Sequence, residues 1–150
     1  MSNEQAGKYS EAKIRKAYNE LIKTLKLKAI HLHTGKVSFA SKFPPPPGEV
    51  LPLDLERSAE YKSTEKGFTV KHTYKLDIKR GESGKRYARI ECSFIVEYRS
   101  EKPMTDELFK IFEKVNLPLN TWPYFREFVQ NSTVRMGLPS LVLPVFQVSR

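Results

Sequence analysis

The sequence has little cysteine and no long apolar run. Cys92 is the single cysteine among 150 residues, which excludes an intramolecular disulfide and a cysteine-built zinc site and agrees with a reducing compartment. No stretch approaches the roughly 18 consecutive apolar residues of a membrane span, and the N-terminal segment MSNEQAGKYSEAK is too polar for a secretory signal. We therefore expect a cytoplasmic protein without membrane insertion.

Motifs of catalysis and cofactor binding are missing as well. The sequence has no Ser-His-Asp order, P-loop, glycine-rich dinucleotide turn or paired-carboxylate motif. His31 and His33 form the one local histidine pair, and no third ligand of suitable type is indicated nearby. His72 and Cys92 occupy apolar strand positions, which is typical of a hydrogen-bonded core histidine and an inert buried thiol. We predict no enzymatic activity, no metal and no cofactor.

The composition of the chain is typical of one globular domain. Hydrophobic residues make up 39% and aromatic residues 11% of the sequence, which suffices for a single core at this length. Lys and Arg number 26 against 17 Asp and Glu, so the formal net charge is +9. A charge of this size favours solubility and anionic partners but does not indicate a fold.

The first predicted strand covers residues 28–41. Its apolar residues change parity midway, and a one-residue bulge at Gly35 would absorb the change, because glycine tolerates the backbone angles of a bulge. Residues 42–48, KFPPPPG, then form an extended connection, since proline fixes φ and lacks the N–H that a sheet requires. We interpret this segment as a stiff linker, with a ligand for an aromatic-groove domain as the less favoured alternative.

Three further strands follow from alternating apolar and polar residues. Residues 50–62 are apolar mostly at the odd positions, as in a half-buried strand. Residues 68–79 and 88–99 alternate without a break around a glycine-bearing turn, which predicts a hairpin with one face on a core and the other in water. The sheet is therefore predicted to be four-stranded and antiparallel.

Helical spacing of apolar residues appears before and after these strands. Residues 10–26 form an amphipathic pattern with a basic opposite face, and residues 104–115 form a second one that Thr105 can cap. A third helix is predicted to begin at Asn120 or Thr121, with Pro123 in its first turn, and to end at Gly137. One face of this helix carries Tyr124, Phe125, Phe128, Val129, Ser132 and Met136.

The order of these elements predicts an α+β fold. Runs of strands followed by helices are typical of a layered arrangement in which helices cover one apolar face of an antiparallel sheet. We expect one domain over 1–150, with an N-terminal helical extension (1–27), the sheet (28–100), two helices (104–137) and an extended tail (138–150).

The C-terminal region resembles that of the SecB family of export chaperones. Pro123-Tyr124-Phe125-Arg126-Glu127 matches the family's Pro-Tyr-x-Arg-Glu helix. Gly137 to Pro144 resembles its Gly-x-x-Pro-x-Leu-x-Leu-x-Pro tail, with one residue fewer after the glycine and one fewer before the last proline. The order of elements from the first strand onward also agrees with this family. The resemblance implies an ATP-independent chaperone, a dimer of dimers, that holds unfolded preproteins in an apolar groove.

The clients and partners follow from the same resemblance. Family members serve protein export or guard an antitoxin, so both client classes stay open, and unfolded polypeptides are the expected ligands. The family is typically acidic whereas this chain carries +9, which leaves the motor SecA as an alternative partner rather than an expected one. Homo-oligomers are expected because the sheet has two edges to cover.

Apolar residues at element ends and in the tail are the candidate client-binding residues, because their burial in the core is least assured. The alternative function is a basic nucleic-acid-binding α+β module, which would lose binding steeply with added salt. Interleaved acids on the sheet face and the lack of an RNA-binding aromatic motif disfavour it. The candidate residues are Phe39, Phe43, Leu51, Leu138, Leu141, Leu143 and Phe146.

Overall fold

The computed structural model describes residues 3–39, 48–81 and 83–147. These residues form helices and a four-stranded antiparallel sheet, which confirms the predicted α+β class. Phe43 and the prolines of the predicted connection lie outside the described residues. In chain order the elements are α1 (Asn3–Thr24), β1 (Lys26–Phe39), β2 (Leu53–Thr64), β3 (Gly67–Lys79), β4 (Arg86–Arg99), α2 (Asp106–Phe112) and α3 (Asn116–Arg135).

The strands lie in the order β1-β4-β3-β2, so β1 and β2 form the two edges. Every second residue of β3 from Phe68 to Ile78 is buried, and the residues between them are half-buried. Directly opposite residues of antiparallel strands share a face. Tyr74 accordingly lies opposite Cys92, and both side chains are buried on the face that carries the core.

Strand β1 changes parity as predicted, but not at Gly35. The register shift against β4 lies between Leu32 and Thr34. It keeps Leu32 and Val37 on one face, because both pair with buried residues of β4. Glycine at position 35 has a different role: a Cβ there would lie 3.0 Å from the ring of Phe128, so its absence lets α3 approach the strand.

The predicted start of α2 is correct, and the predicted start of α3 is not. Thr105 caps α2 as predicted, and its hydroxyl accepts a hydrogen bond from the backbone N–H of Leu108. Helix α3 begins earlier than predicted, so Asn120 and Thr121 lie inside it. Pro118 occupies its first turn, where a missing N–H costs nothing, and Pro123 lies in the helix interior.

The end of α3 is the predicted one. Gly137 has a φ of 76°, the left-handed conformation that glycine adopts without strain. Its N–H donates to the carbonyl oxygen of Val134 at 3.0 Å, and the N–H of Leu138 donates to that of Thr133 at 2.9 Å. This pair of bonds is a Schellman motif, which ends the helix and turns the chain back along it.

Helix α3 packs on the face of β3 and β4 that carries Tyr74 and Cys92. The rings of Phe125 and Tyr74 stack with centroids 4.3 Å apart. Phe125, Val129 and Ser132 of the predicted apolar face are buried, whereas Tyr124 is 47% exposed. No described helix is long and apolar enough to cross a membrane.

Helix α1 starts at Asn3, earlier than predicted, and is exposed over most of its length. Its C-terminal part joins the domain through Leu21, which is fully buried. The Tyr18 hydroxyl also donates a hydrogen bond to Asn116 at the start of α3.

Candidate functional site

Strand β2 presents an apolar face beside an open strand edge. Leu53, Leu55, Arg57, Ala59 and Tyr61 lie opposite buried residues of β3, so their side chains point to the helix-covered face. Because β2 is an edge of the sheet, no described strand pairs with its outer side. Unpaired N–H and C=O groups of such an edge can pair with another chain.

The C-terminal tail faces this strand from the side of α3. After Gly137 the chain runs back along the helix, and three hydrogen bonds to Thr133, Arg126 and Trp122 hold it there. The N–H of Leu141 donates to the Thr133 hydroxyl at 3.0 Å, and the Arg126 Nε donates to the carbonyl oxygen of Leu143 at 2.7 Å. The described part of the tail therefore lies against the helix.

An apolar cleft of about 220 Å³ lies between the two segments. Leu51, Leu138 and Leu141, three of the predicted site residues, line it together. They come from segments separated by more than half of the chain, and the reversal at Gly137 lets them meet. The remaining lining residues are Leu53, Ile78, Thr133, Pro139 and Ser140.

A second cavity, of about 200 Å³, opens farther along β2 and is more polar. Arg57 lies at its side, and its guanidinium carbon is 5.4 Å from the ring centroid of Phe146, another predicted site residue. The other lining residues are Ser58, Ala59, His72, Glu113 and Lys114. We call the two cavities and the strip of β2 between them, with Leu55 at its centre, the β2 groove.

Two of the remaining predicted site residues, Phe39 and Leu143, do not line this groove. Leu143 is 5% exposed and belongs to the core, so it has almost no surface to offer a ligand. Phe39 lies on β1, at the opposite edge of the sheet, where its ring packs edge-on against Tyr87. Phe43 lies outside the described residues.

Leu53 and Arg57 are among the groove residues that were missed from the sequence. Leu53 was assigned to an ordinary half-buried strand, although it is 44% exposed, because strand alternation does not distinguish a covered face from an open one. Arg57 could have been recognised from the sequence, because it places a charge among Leu55, Ala59 and Tyr61 on the apolar side of the strand. A cation at such a position indicates a functional or interaction site.

Buried polar side chains beneath the groove form hydrogen bonds with one another. The His72 Nδ1 lies 2.8 Å from the Thr121 hydroxyl, which also lies 2.6 Å from the Tyr74 hydroxyl. Burial, with a smaller effect from the charge of Arg57, lowers the pKa of His72 to about 3. Histidine 72 is thus the hydrogen-bonded core residue that was predicted.

Cys92 is also buried, as predicted, and burial raises the pKa of its thiol to about 12, so the thiol is protonated at neutral pH. Among the described residues no group of three or more His, Cys, Asp or Glu side chains could hold a metal ion.

The outer face of the sheet carries charges of alternating sign. Lys36, Glu91, Lys75 and Glu56 lie opposite one another across all four strands. Lys75 and Glu56 form an ion pair of 2.9 Å. Phosphate binding relies on surfaces dominated by positive charge. This self-compensating face therefore does not favour the nucleic-acid alternative.

A second apolar surface lies at the opposite edge. Leu32 and Val37 of β1 are 48% and 43% exposed on the helix-covered side of the sheet. Tyr124 of α3 is exposed beside them, with its ring 6.2 Å from that of Phe94. Contiguous apolar surface at an unpaired strand edge is typical of an interface between protein chains.

Comparisons with known proteins point to one fold. No protein-family model matches the sequence, and no curated protein matches it. Among solved structures, the chain is similar to the SecB-like chaperone Rv1957 of Mycobacterium tuberculosis, solved in complex with a ChAD peptide from the Rv1956 HigA1 antitoxin. The two are 20% identical with a TM-score of 0.72, over 90% of this chain and 99% of that chain. This chain therefore has the fold of the SecB-like chaperones, as its C-terminal motif predicted.

Proposed function

We propose that this protein is an ATP-independent holdase chaperone that binds unfolded polypeptide segments in the β2 groove. The observation that carries the proposal is the apolar cleft formed by Leu51, Leu138 and Leu141 beside the open edge of β2. Such a cleft can take apolar side chains of many shapes, and the strand edge can take the backbone of an extended chain. Binding of this kind tolerates many sequences, as a chaperone requires.

The clients are non-native polypeptides, either preproteins for export or an antitoxin. The structural neighbour supports a polypeptide ligand, because it was solved with a peptide of an antitoxin. SecA remains a further candidate partner.

Self-association is part of the proposal. Leu32 and Val37 leave apolar surface on β1 that water would otherwise cover, and a second copy of the chain would cover it symmetrically. The β2 groove lies at the other edge of the sheet, so association through β1 leaves the groove open. We propose a dimer or a dimer of dimers.

The test is suppression of aggregation of a chemically unfolded client without ATP. Replacing Leu53 with serine removes apolar surface from the cleft and should weaken client binding by about one power of ten or more. Val50→Ser is the matched control, because Val50 is 78% exposed nearby and does not line the cleft. A Leu53→Ser variant that is folded and as protective as the parent would refute binding in the groove.

A further inference from the structure

Arg57 places a positive charge in the middle of the otherwise apolar side of β2. Leu53 and Leu55 precede it on the same face, and Ala59 and Tyr61 follow. Its guanidinium lies over the ring of Phe146, at 5.4 Å from the centroid. A guanidinium in contact with an aromatic ring keeps N–H donors in its plane for an anionic partner.

No described carboxylate neutralises this charge directly. The ion pairs among the described residues join Lys75 to Glu56, Lys79 to Asp54, Arg80 to Glu49 and Arg89 to Asp77, and none includes Arg57. Glu113 and Lys114 line the same cavity with opposite charges. His72 is uncharged at neutral pH. The cavity therefore has an excess of one positive charge.

The distance from Arg57 to the apolar cleft sets a spacing for a bound chain. Arg57 and the cleft residue Leu53 are four residues apart on one strand, which corresponds to about 13 to 14 Å in extended conformation. An extended ligand running alongside has the same rise per residue and exposes every second side chain to one face. Its fourth residue from an apolar anchor in the cleft would thus face Arg57.

We propose that the β2 groove selects client segments in which an Asp or Glu lies four residues from an apolar side chain. The apolar side chain enters the cleft at Leu53 and Leu141, and the carboxylate pairs with the guanidinium of Arg57. This selectivity rests on the proposed function, because it assigns the ligand class of the same groove. Pairing of a guanidinium with a carboxylate favours both specificity and orientation.

The experiment measures fluorescence anisotropy of short labelled peptides that carry one Leu and, four residues away in either direction, Glu, Gln or Lys. The parent protein should bind the Glu peptide about two- to fivefold more tightly than the Gln peptide, the range of an ion pair at an exposed position. A further peptide with Glu three residues from the Leu points its carboxylate to the other face and should bind like the Gln peptide. This peptide separates pairing at Arg57 from general attraction to a basic protein.

Arg57→Glu should reverse the preference, so that the Lys peptide binds more tightly than the Glu peptide. Arg57→Gln should abolish the preference without reversing it. Lys62→Glu is the matched control: it changes the net charge equally on the opposite face of the same strand and should keep the preference of the parent.

The outcomes separate this inference from the proposed function. Equal affinities of the parent for the Glu and Gln peptides, or an unchanged preference in Arg57→Glu, would overturn the selectivity while peptide binding stands. No binding of any peptide by the parent would overturn peptide binding and the selectivity together.

Discussion

The indole Nε1 of Trp122 donates a hydrogen bond of 2.7 Å to the carbonyl oxygen of Pro144. With the Arg126 bond to Leu143, it holds the tail along α3 and thereby sets one wall of the β2 groove. The ring of Phe146 packs against Trp122, with centroids 6.0 Å apart, and its centroid lies 5.4 Å from the guanidinium carbon of Arg57. Helix α3 thus positions groove residues that it does not itself contain.

Removal of the Arg126 hydrogen bond should loosen the tail. Arg126→Met leaves the carbonyl oxygen of Leu143 without this donor and should lower the free energy of unfolding by about 1 kcal/mol. Limited proteolysis should then cut within 138–147 faster than in the parent. Arg135→Met, an exposed position of the same helix, is the control and should change neither the urea midpoint nor the cleavage rate.

Leu141 and Leu143 lie two residues apart in the tail and should respond oppositely to replacement by serine. Leu141 lines the cleft and is half-buried, so Leu141→Ser should weaken client binding by about one to two powers of ten with little loss of stability. Leu143 is buried, so Leu143→Ser should cost about 2 to 5 kcal/mol of stability. Urea midpoints and client aggregation measured on both variants decide between the roles. A Leu141→Ser variant that binds normally but unfolds at much lower urea would make Leu141 a core residue.

Light scattering of the purified protein should give the mass of a dimer or tetramer. Val37→Asp places a charge on the apolar face of β1 and should shift the mass toward the monomer, because burying an unpaired carboxylate is costly. Val145→Asp makes the same change at an exposed tail position and should leave the mass unchanged. A parent protein that is strictly monomeric at micromolar concentration would contradict the proposed assembly and count against the proposed chaperone function.

Acid should destabilise the fold through His72. Its pKa is lowered from 6.5 to about 3 by burial, so the unfolded chain takes up a proton between these values and the folded chain does not. The contribution of His72 to the free energy of unfolding is therefore fully present above about pH 6.5. It is lost progressively as the pH decreases toward about 3. At about pH 5 the loss is roughly 2 kcal/mol.

Urea midpoints at neutral and mildly acidic pH test this linkage. His72→Gln keeps a polar group toward the Thr121 hydroxyl and should reduce the difference between the two midpoints. His31→Gln, at an exposed position of β1, is the control and should keep the difference of the parent. Equal pH dependence in all three proteins would show that His72 does not carry it.

Local patterns predicted the parts of the fold that depend on near neighbours. The alternation around Tyr74 and Cys92 predicted the central hairpin, because side chains of a strand point to opposite faces in turn. Thr105 and Gly137 predicted a helix start and a helix end, because each acts on backbone groups within one turn. The start of α3 was wrong, since Asn120 and Thr121 are capping residue types that tertiary packing placed inside a helix.

The sequence by itself determined the strands and their inward faces and the burial of His72 and Cys92, because these follow from residue periodicity and from turn chemistry. Only the tertiary structure decided which apolar residues share a surface. Leu51 and Leu141 meet because the sheet order puts β2 at an edge and the reversal at Gly137 returns the tail toward it. Leu143, two residues farther along the tail, is buried in the core, and no local pattern distinguishes the two leucines.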